Sequence, residues 1–142
     1  YEIDLKGKHV VVVGRSNIVG RPISILTSLK NQYSNATTTI CHSGSSDIFK
    51  YTKLADVVIL AIGSPEFLKS EHIKNGAVII DVGINRIEND NGKSKLVGDA
   101  DFNSLINKVK AITPVPGGVG PMTIAMLVEN TVEAAERTLQ SI

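Results

Sequence analysis

The sequence predicts an α/β fold, a doubly wound and mainly parallel sheet with helices on both faces and a long helix at the C-terminus. Three observations carry that prediction. Runs rich in β-branched residues, at His9 to Val13, Thr37 to His42, Asp56 to Ile62 and Ala77 to Val82, are separated by stretches able to hold helices, and parallel strands need crossover connections of that kind. The four valines Val10 to Val13 suit a strand buried on both faces. That strand breaks into Gly14-Arg15-Ser16-Asn17-Ile18-Val19-Gly20-Arg21-Pro22, which reads as a strand end, a phosphate-type turn and a helix start.

Each element follows from its residues. Tyr1 to Lys8 is a polar lead-in with a turn at Gly7. A first helix is expected after Pro22, with Ile23, Leu26, Leu29 and Tyr33 along one face and an end near Asn31 to Asn35. The second strand stops at Ser43-Gly44-Ser45-Ser46-Asp47, a turn rich in helix-capping residues, and a short helix over Phe49 to Leu54 follows. The third strand closes on Gly63-Ser64-Pro65 and the fourth on Gly83. From Gly83 to Gly98 the polar residues Asn85, Asn89, Asp90, Asn91 and Gly92 predict an exposed excursion, a small hairpin at an edge. Asp101 to Lys108 makes a helix with Phe102, Leu105 and Ile106 inward, and Ala111 to Thr113 a short fifth strand. Pro114 to Pro121 is too rich in proline and glycine for regular structure, and Met122 to Ile142 forms a long helix with Ile124, Leu127, Val128, Val132, Ala135 and Leu139 in one stripe.

Composition bounds the function. With 142 residues, 42% hydrophobic and 20% charged, the chain is sized for one domain with a real core. A net charge of +1 without a basic run leaves no electrostatic footprint for nucleic acid or a membrane surface. Cys41 is the only cysteine and the three histidines are scattered, so no internal disulfide and no metal site are expected and a reducing compartment fits. The apolar runs are strand length and no signal peptide is visible, which points to the cytoplasm or an organelle. Because the first strand arrives after Lys8 and no initiator methionine precedes it, the chain is expected to be part of something longer.

In open α/β sheets ligands lie beyond the carboxyl ends of the strands, and here every strand is followed there by glycine or serine. Turn chemistry alone explains any one of them; five at one rim argue for a site. At the first turn, helix N–H groups and the positive end of the helix dipole suit a dinucleotide pyrophosphate, as in a Rossmann unit. The second strand ends on His42-Ser43-Gly44-Ser45 with no carboxylate, where NAD sites usually carry one for the ribose hydroxyls. With Arg15 and the hydroxyls of Ser43 and Ser45 available, a 2′-phosphate gains a charge-assisted contact of roughly 1.5–3 kcal/mol, favouring NADP over NAD. Asp47 would oppose this if it faced the ribose, but its place ahead of an apolar run fits a helix N-cap. His42, Cys41 and Asp81 receive no catalytic role, and no triad, paired-carboxylate site or nucleophile elbow is visible.

The stretch around Pro114 to Ile124, T-P-V-P-G-G-V-G-P-M-T-I, resembles the C-terminal signature of the bifunctional methylenetetrahydrofolate dehydrogenase/methenyltetrahydrofolate cyclohydrolase family. Gly14 to Pro22 is similar to that family's cofactor turn, Cys41-His42-Ser43 to its second strand end, Asp81 to Asn85 to its fourth, and Val97-Gly98-Asp99 to a further segment. The resemblance spans nearly the whole chain in order. It implies a Rossmann-like NAD(P)-binding domain, residues 1–142, of an enzyme that oxidises 5,10-methylenetetrahydrofolate to the methenyl form with NADP and hydrolyses that to 10-formyltetrahydrofolate. Gly14, Arg15 and Ser16 would bind the cofactor phosphates, and Ser43, Gly44 and Ser45 would flank the adenosine ribose. Ile84 would touch the cofactor through its backbone, and Pro116, Gly117, Gly118, Val119 and Gly120 would border the folate.

Family members often carry a bulkier or charged residue at the position of Gly44 and threonine at that of Ser45, so NAD stays open beside NADP. The resemblance also implies that the catalytic lysine and its tyrosine neighbour stand in an N-terminal domain that the final helix packs on, leaving no catalytic residue in this chain. Without that cover the helix should fold against the sheet, fray or pair with another copy; a homodimer is expected. The rival readings are a dinucleotide-binding module or sensor without catalysis and an S-adenosylmethionine methyltransferase.

Overall fold

The computed structural model describes residues 2–88, 92 and 94–140. In chain order the elements are β1 (His9–Val13), α1 (Gly20–Ser28), β2 (Thr37–Cys41), α2 (Ile48–Thr52), β3 (Val57–Leu60) and a single 3₁₀ turn (Ser70–His72). There follow β4 (Val78–Asp81), β5 (Asn85–Glu88), β6 (Ser94–Val97), α3 (Phe102–Leu105), β7 (Ala111–Ile112) and α4 (Val119–Gln140). Five strands form one parallel sheet in the order β2-β1-β3-β4-β7, and β5 pairs with β6 as the expected antiparallel hairpin. Asn89, Asp90 and Asn91, which helped predict that hairpin, lie outside the described residues.

The sheet is buried because its side chains alternate between two apolar layers. Val11, Val13, Cys41, Val58, Leu60 and Ile79 pack with Leu68, Ile73 and Leu105 on one face. Val10, Val12, Val57, Ile59 and Val78 pack with Ile3, Leu5 and Ile23 on the other. Each fully buried side chain of this size contributes about 1.5–3 kcal/mol. Val13 pairs with both Cys41 and Leu60, so the chain leaves β1 where the strand order reverses, at the crevice between β1 and β3.

Several expectations are corrected. α1 starts at Gly20, two residues before Pro22, which falls in the first turn where a missing N–H costs nothing. It ends at Ser28 because Asn31 Oδ1 accepts from the Tyr33 N–H and the Ser34 hydroxyl, and that hydroxyl also donates to the Leu29 carbonyl, a local alternative to helix. Leu26, Leu29 and Tyr33 are exposed; α1 instead buries Gly20, Ser24 and Thr27. The two hydroxyls donate to helix carbonyls at Arg21 and Ile23 and so enter the core without unmet polar atoms. α3 is a single turn that buries Leu105 and leaves Phe102 and Ile106 exposed. The proline–glycine segment is not wholly irregular: α4 begins at Val119, ahead of the expected Met122, with Pro121 again in the first turn. α4 stands clear of the sheet, with none of its described residues buried.

Candidate functional site

The turn after β1 is shaped by close backbone approach. Gly14 has φ +122°, its N–H donates to the Cys41 carbonyl at 2.8 Å, and a Cβ there would lie 2.4 Å from the Ala61 oxygen. A Cβ on Gly20 would lie 2.2 Å from the Gly14 oxygen. The two glycines therefore let the first turn of α1 rest directly on the end of β1. Ser16 Oγ accepts from the N–H groups of Val19 at 3.1 Å and Gly20 at 3.3 Å, so two donors expected to stay open are taken up by the turn itself. The Arg15 side chain is exposed and has no partner among the described residues.

After β2 the chain closes a compact turn. The Ser45 N–H donates to the His42 carbonyl at 2.8 Å, the His42 N–H to Ser45 Oγ at 3.0 Å, and the Gly44 N–H to His42 Nδ1 at 3.0 Å. Ser43 and Gly44 are exposed at its tip. Asp47 caps α2, accepting from the Lys50 N–H at 3.1 Å. Its carboxylate is thereby committed to the helix, and none stands within the His42–Ser45 tip.

Two buried carboxylates organise the far half of the rim. Asp81 ends β4 and accepts from the N–H groups of Gly83 (2.9 Å), Asp99 (3.0 Å) and Ala100 (2.8 Å). Burial pushes its carboxyl above the usual carboxylate range, against the opposing pull of those N–H groups. Among the described residues every donor to its carboxylate is a backbone N–H, so it ties the turn after β4 to the Gly98–Ala100 segment. Asp99, which sequence reasoning did not single out as a site residue, is fully buried and accepts from the N–H groups of Ile62 (2.8 Å), Gly63 (3.0 Å) and Ser64 (2.9 Å) and from Asn85 Nδ2 (2.9 Å). Glycine makes room for both carboxylates: a Cβ on Gly83 would lie 2.3 Å from the Asp99 carboxyl, and one on Gly98 1.9 Å from Asp81 Oδ2.

The Thr113 hydroxyl accepts from the Asp81 N–H at 2.7 Å and ties the end of β7 to β4. The chain then turns through a cis Val115–Pro116 bond and Gly117 at φ +96°, and Gly118 has its Cα against the Pro114 carbonyl, where a Cβ would come within 2.3 Å of the oxygen. Exposed Ile84 and the loop Pro116 to Gly120 line one cavity of about 510 Å³. The structure thus brings Ile84 together with the proposed folate loop. It sets the Gly14–Ser16 turn and the Ser43–Ser45 turn side by side, at the ends of adjacent strands. No group of residues able to hold a metal occurs among the described residues, and none of their helices is long and apolar enough to cross a membrane.

Residues 1–139 match the family model described as tetrahydrofolate dehydrogenase/cyclohydrolase, NAD(P)-binding domain. The chain belongs to this family. It is 57% identical over 141 residues to the bifunctional protein FolD of Chloroherpeton thalassium, an alignment covering 98% of this chain and 48% of the relative. Among solved structures, the methylenetetrahydrofolate dehydrogenase/cyclohydrolase FolD of Campylobacter jejuni superposes with a TM-score of 0.88 at 48% identity, over 97% of this chain and 46% of that one. The Trypanosoma brucei enzyme, solved with NADP cofactor and an inhibitor, gives 0.85 at 38% identity, over 96% and 46%. The chain spans about half the length of the relatives it matches, and the Rossmann-like fold expected from the sequence is the fold of these neighbours.

Proposed function

We propose that this chain binds NADP across the carboxyl ends of its parallel strands as the cofactor half of an enzyme that oxidises 5,10-methylenetetrahydrofolate. The same enzyme then hydrolyses the methenyl product to 10-formyltetrahydrofolate. Its relatives bear the name of that bifunctional enzyme, and one neighbour was solved with NADP. The lining fits: the glycine-bearing turn Gly14 to Ser16 with exposed Arg15, exposed Ser43, and a rim whose buried carboxylates are turned inward onto backbone N–H groups. Bound NADP supplies a hydride acceptor. The chain's part is to fix the phosphates and ribose at one end, to touch the cofactor through the Ile84 backbone, and to border the folate with the Pro116–Gly120 loop. The reacting side chains come from the rest of the enzyme, as the half-length match to its relatives suggests. The same reading makes α4 the element that packs on the rest of the enzyme, and the whole a cytoplasmic homodimer feeding one-carbon units to purine biosynthesis.

The observation that carries the cofactor choice is Arg15, exposed and without a partner among the described residues, at the end of the strand next to β2, whose end turn carries no carboxylate, with Asp47 committed to α2. Losing a charge-assisted contact to a 2′-phosphate costs roughly 1.5–3 kcal/mol, about ten- to a hundredfold in affinity. Calorimetric titration should show Arg15→Ala weakening NADP by that factor and NAD by less than about threefold. Equal losses for both dinucleotides would remove Arg15 as the phosphate ligand. Binding of S-adenosylmethionine in place of either would overturn the dinucleotide reading.

A further inference from the structure

Asp99 is fully buried, and its two carboxylate oxygens hold four donors between them. Three of the donors are consecutive backbone N–H groups, Ile62 to Ser64, wrapped around the carboxylate with Gly63 at φ +67°. Backbone nests of that kind often bind anions; here the chain fills the nest with its own side chain. The fourth donor, Asn85 Nδ2, belongs to the segment that follows β4, next to Ile84. One buried group therefore sets the spacing between two stretches of the rim. Both lie on the β3–β4 side of the crevice, away from β2 and the His42–Ser45 turn.

We infer that Asp99 is a positioning residue for the nicotinamide half of the dinucleotide, acting by locking the Ile62–Ser64 turn to the Asn85 segment beside Ile84. This rests on the dinucleotide reading above. Asp81 supports the lock from behind, since it accepts from the Asp99 and Ala100 N–H groups and so holds the backbone that carries Asp99. Gly83 and Gly98 leave the space both carboxylates occupy. Asp99→Asn keeps the size and loses the function: in either amide orientation one oxygen becomes an NH₂ facing two donors, because Oδ2 serves Ile62 and Gly63 while Oδ1 serves Ser64 and Asn85. Asn85→Ala is the milder variant and removes one donor of the four.

The test is made in the full-length protein, with two ligands that share the adenosine half. NADPH carries both halves and reports its nicotinamide environment by fluorescence, whereas adenosine 2′,5′-bisphosphate occupies the adenosine side alone. Asp99→Asn should weaken NADPH about tenfold or more and return the bound nicotinamide emission toward that of free NADPH, while bisphosphate affinity stays within about twofold. Asn85→Ala should give about a three- to tenfold loss on NADPH with the same bisphosphate result, and it decides the matter if Asp99→Asn does not fold. Loss of both ligands together, or NADPH binding unchanged in Asn85→Ala, overturns the inference while leaving the dinucleotide reading intact. A wild-type protein that binds neither ligand overturns that reading and this inference with it.

Discussion

At the scale of single residues the rim is governed by where a Cβ cannot go. Gly14 combines φ +122° with a carbonyl oxygen 2.4 Å from the position of a Cβ, whereas Gly7, at φ +70°, has open space around it. Alanine at Gly7 should therefore cost only the left-handed backbone penalty, about 1–2 kcal/mol. Alanine at Gly14 adds a clash with the backbone of the neighbouring strand end and should cost about 3 kcal/mol or more. Urea unfolding of the two variants separates the contributions, and dinucleotide titration should show weakened binding for Gly14→Ala alone. Equal destabilisation at both positions would mean that the contact with Ala61 is not what requires glycine there.

At the scale of elements, the opposite end of the sheet shows how strand ends are tied where no ligand is expected. Asp56, ahead of β3, accepts from the His9 N–H of β1 at 2.8 Å and from Lys74 Nζ at 2.7 Å. Its hydrogen bond to Lys74 and then that to His9 hold its carboxyl below the usual value of 3.8. A carboxyl lowered in the folded state contributes stability that is present above 3.8 and is lost as pH falls through the lower folded value. Asp56→Asn should cost about 1 kcal/mol at neutral pH, leave dinucleotide affinity unchanged, and flatten the fall of Tm on acidification below pH 4. An acid limb as steep as that of the wild type would remove Asp56 from the acid response. The strands were legible because their β-branched runs need no partner to be recognised, and the rim was legible as glycine and serine at strand ends. Two things were not. The buried residues of α1 are Gly20, Ser24 and Thr27, with both hydroxyls satisfied by the helix's own carbonyls, so of the expected apolar stripe only Ile23 packs on the core while Leu26, Leu29 and Tyr33 stay exposed. Asp99 serves backbone groups at Ile62 to Ser64, and no side-chain spacing records a bond to backbone 35 or more positions away.

At the scale of the whole molecule, α4 and the sheet are energetically separate. The core clusters contain residues of the strands, of the short helices and of the loops between them, and none of the described residues from Met122 onward. The apolar trough of about 760 Å³ over one sheet face meets α4 only at Val119 and Thr123. Downstream, Ile124, Leu127, Val128, Val132 and Leu139 are exposed. A stripe of that extent on a chain in water favours association, and its burial elsewhere contributes nothing to the sheet's own unfolding. A chain ending at Thr123 should therefore keep its Tm within about 2 °C of the intact chain, read from the strand signal in far-UV circular dichroism. It should retain NADP binding, because Gly14 to Ser16, Ser43 and Ile84 stand on the sheet. Sedimentation over a concentration series should show self-association in the intact chain and less of it in the shortened one. A fall in Tm of more than about 10 °C would mean that α4 carries core contacts, and unchanged self-association would move the sticky surface from α4 to the trough lined by Ile3, Leu5, Ile18 and Leu26.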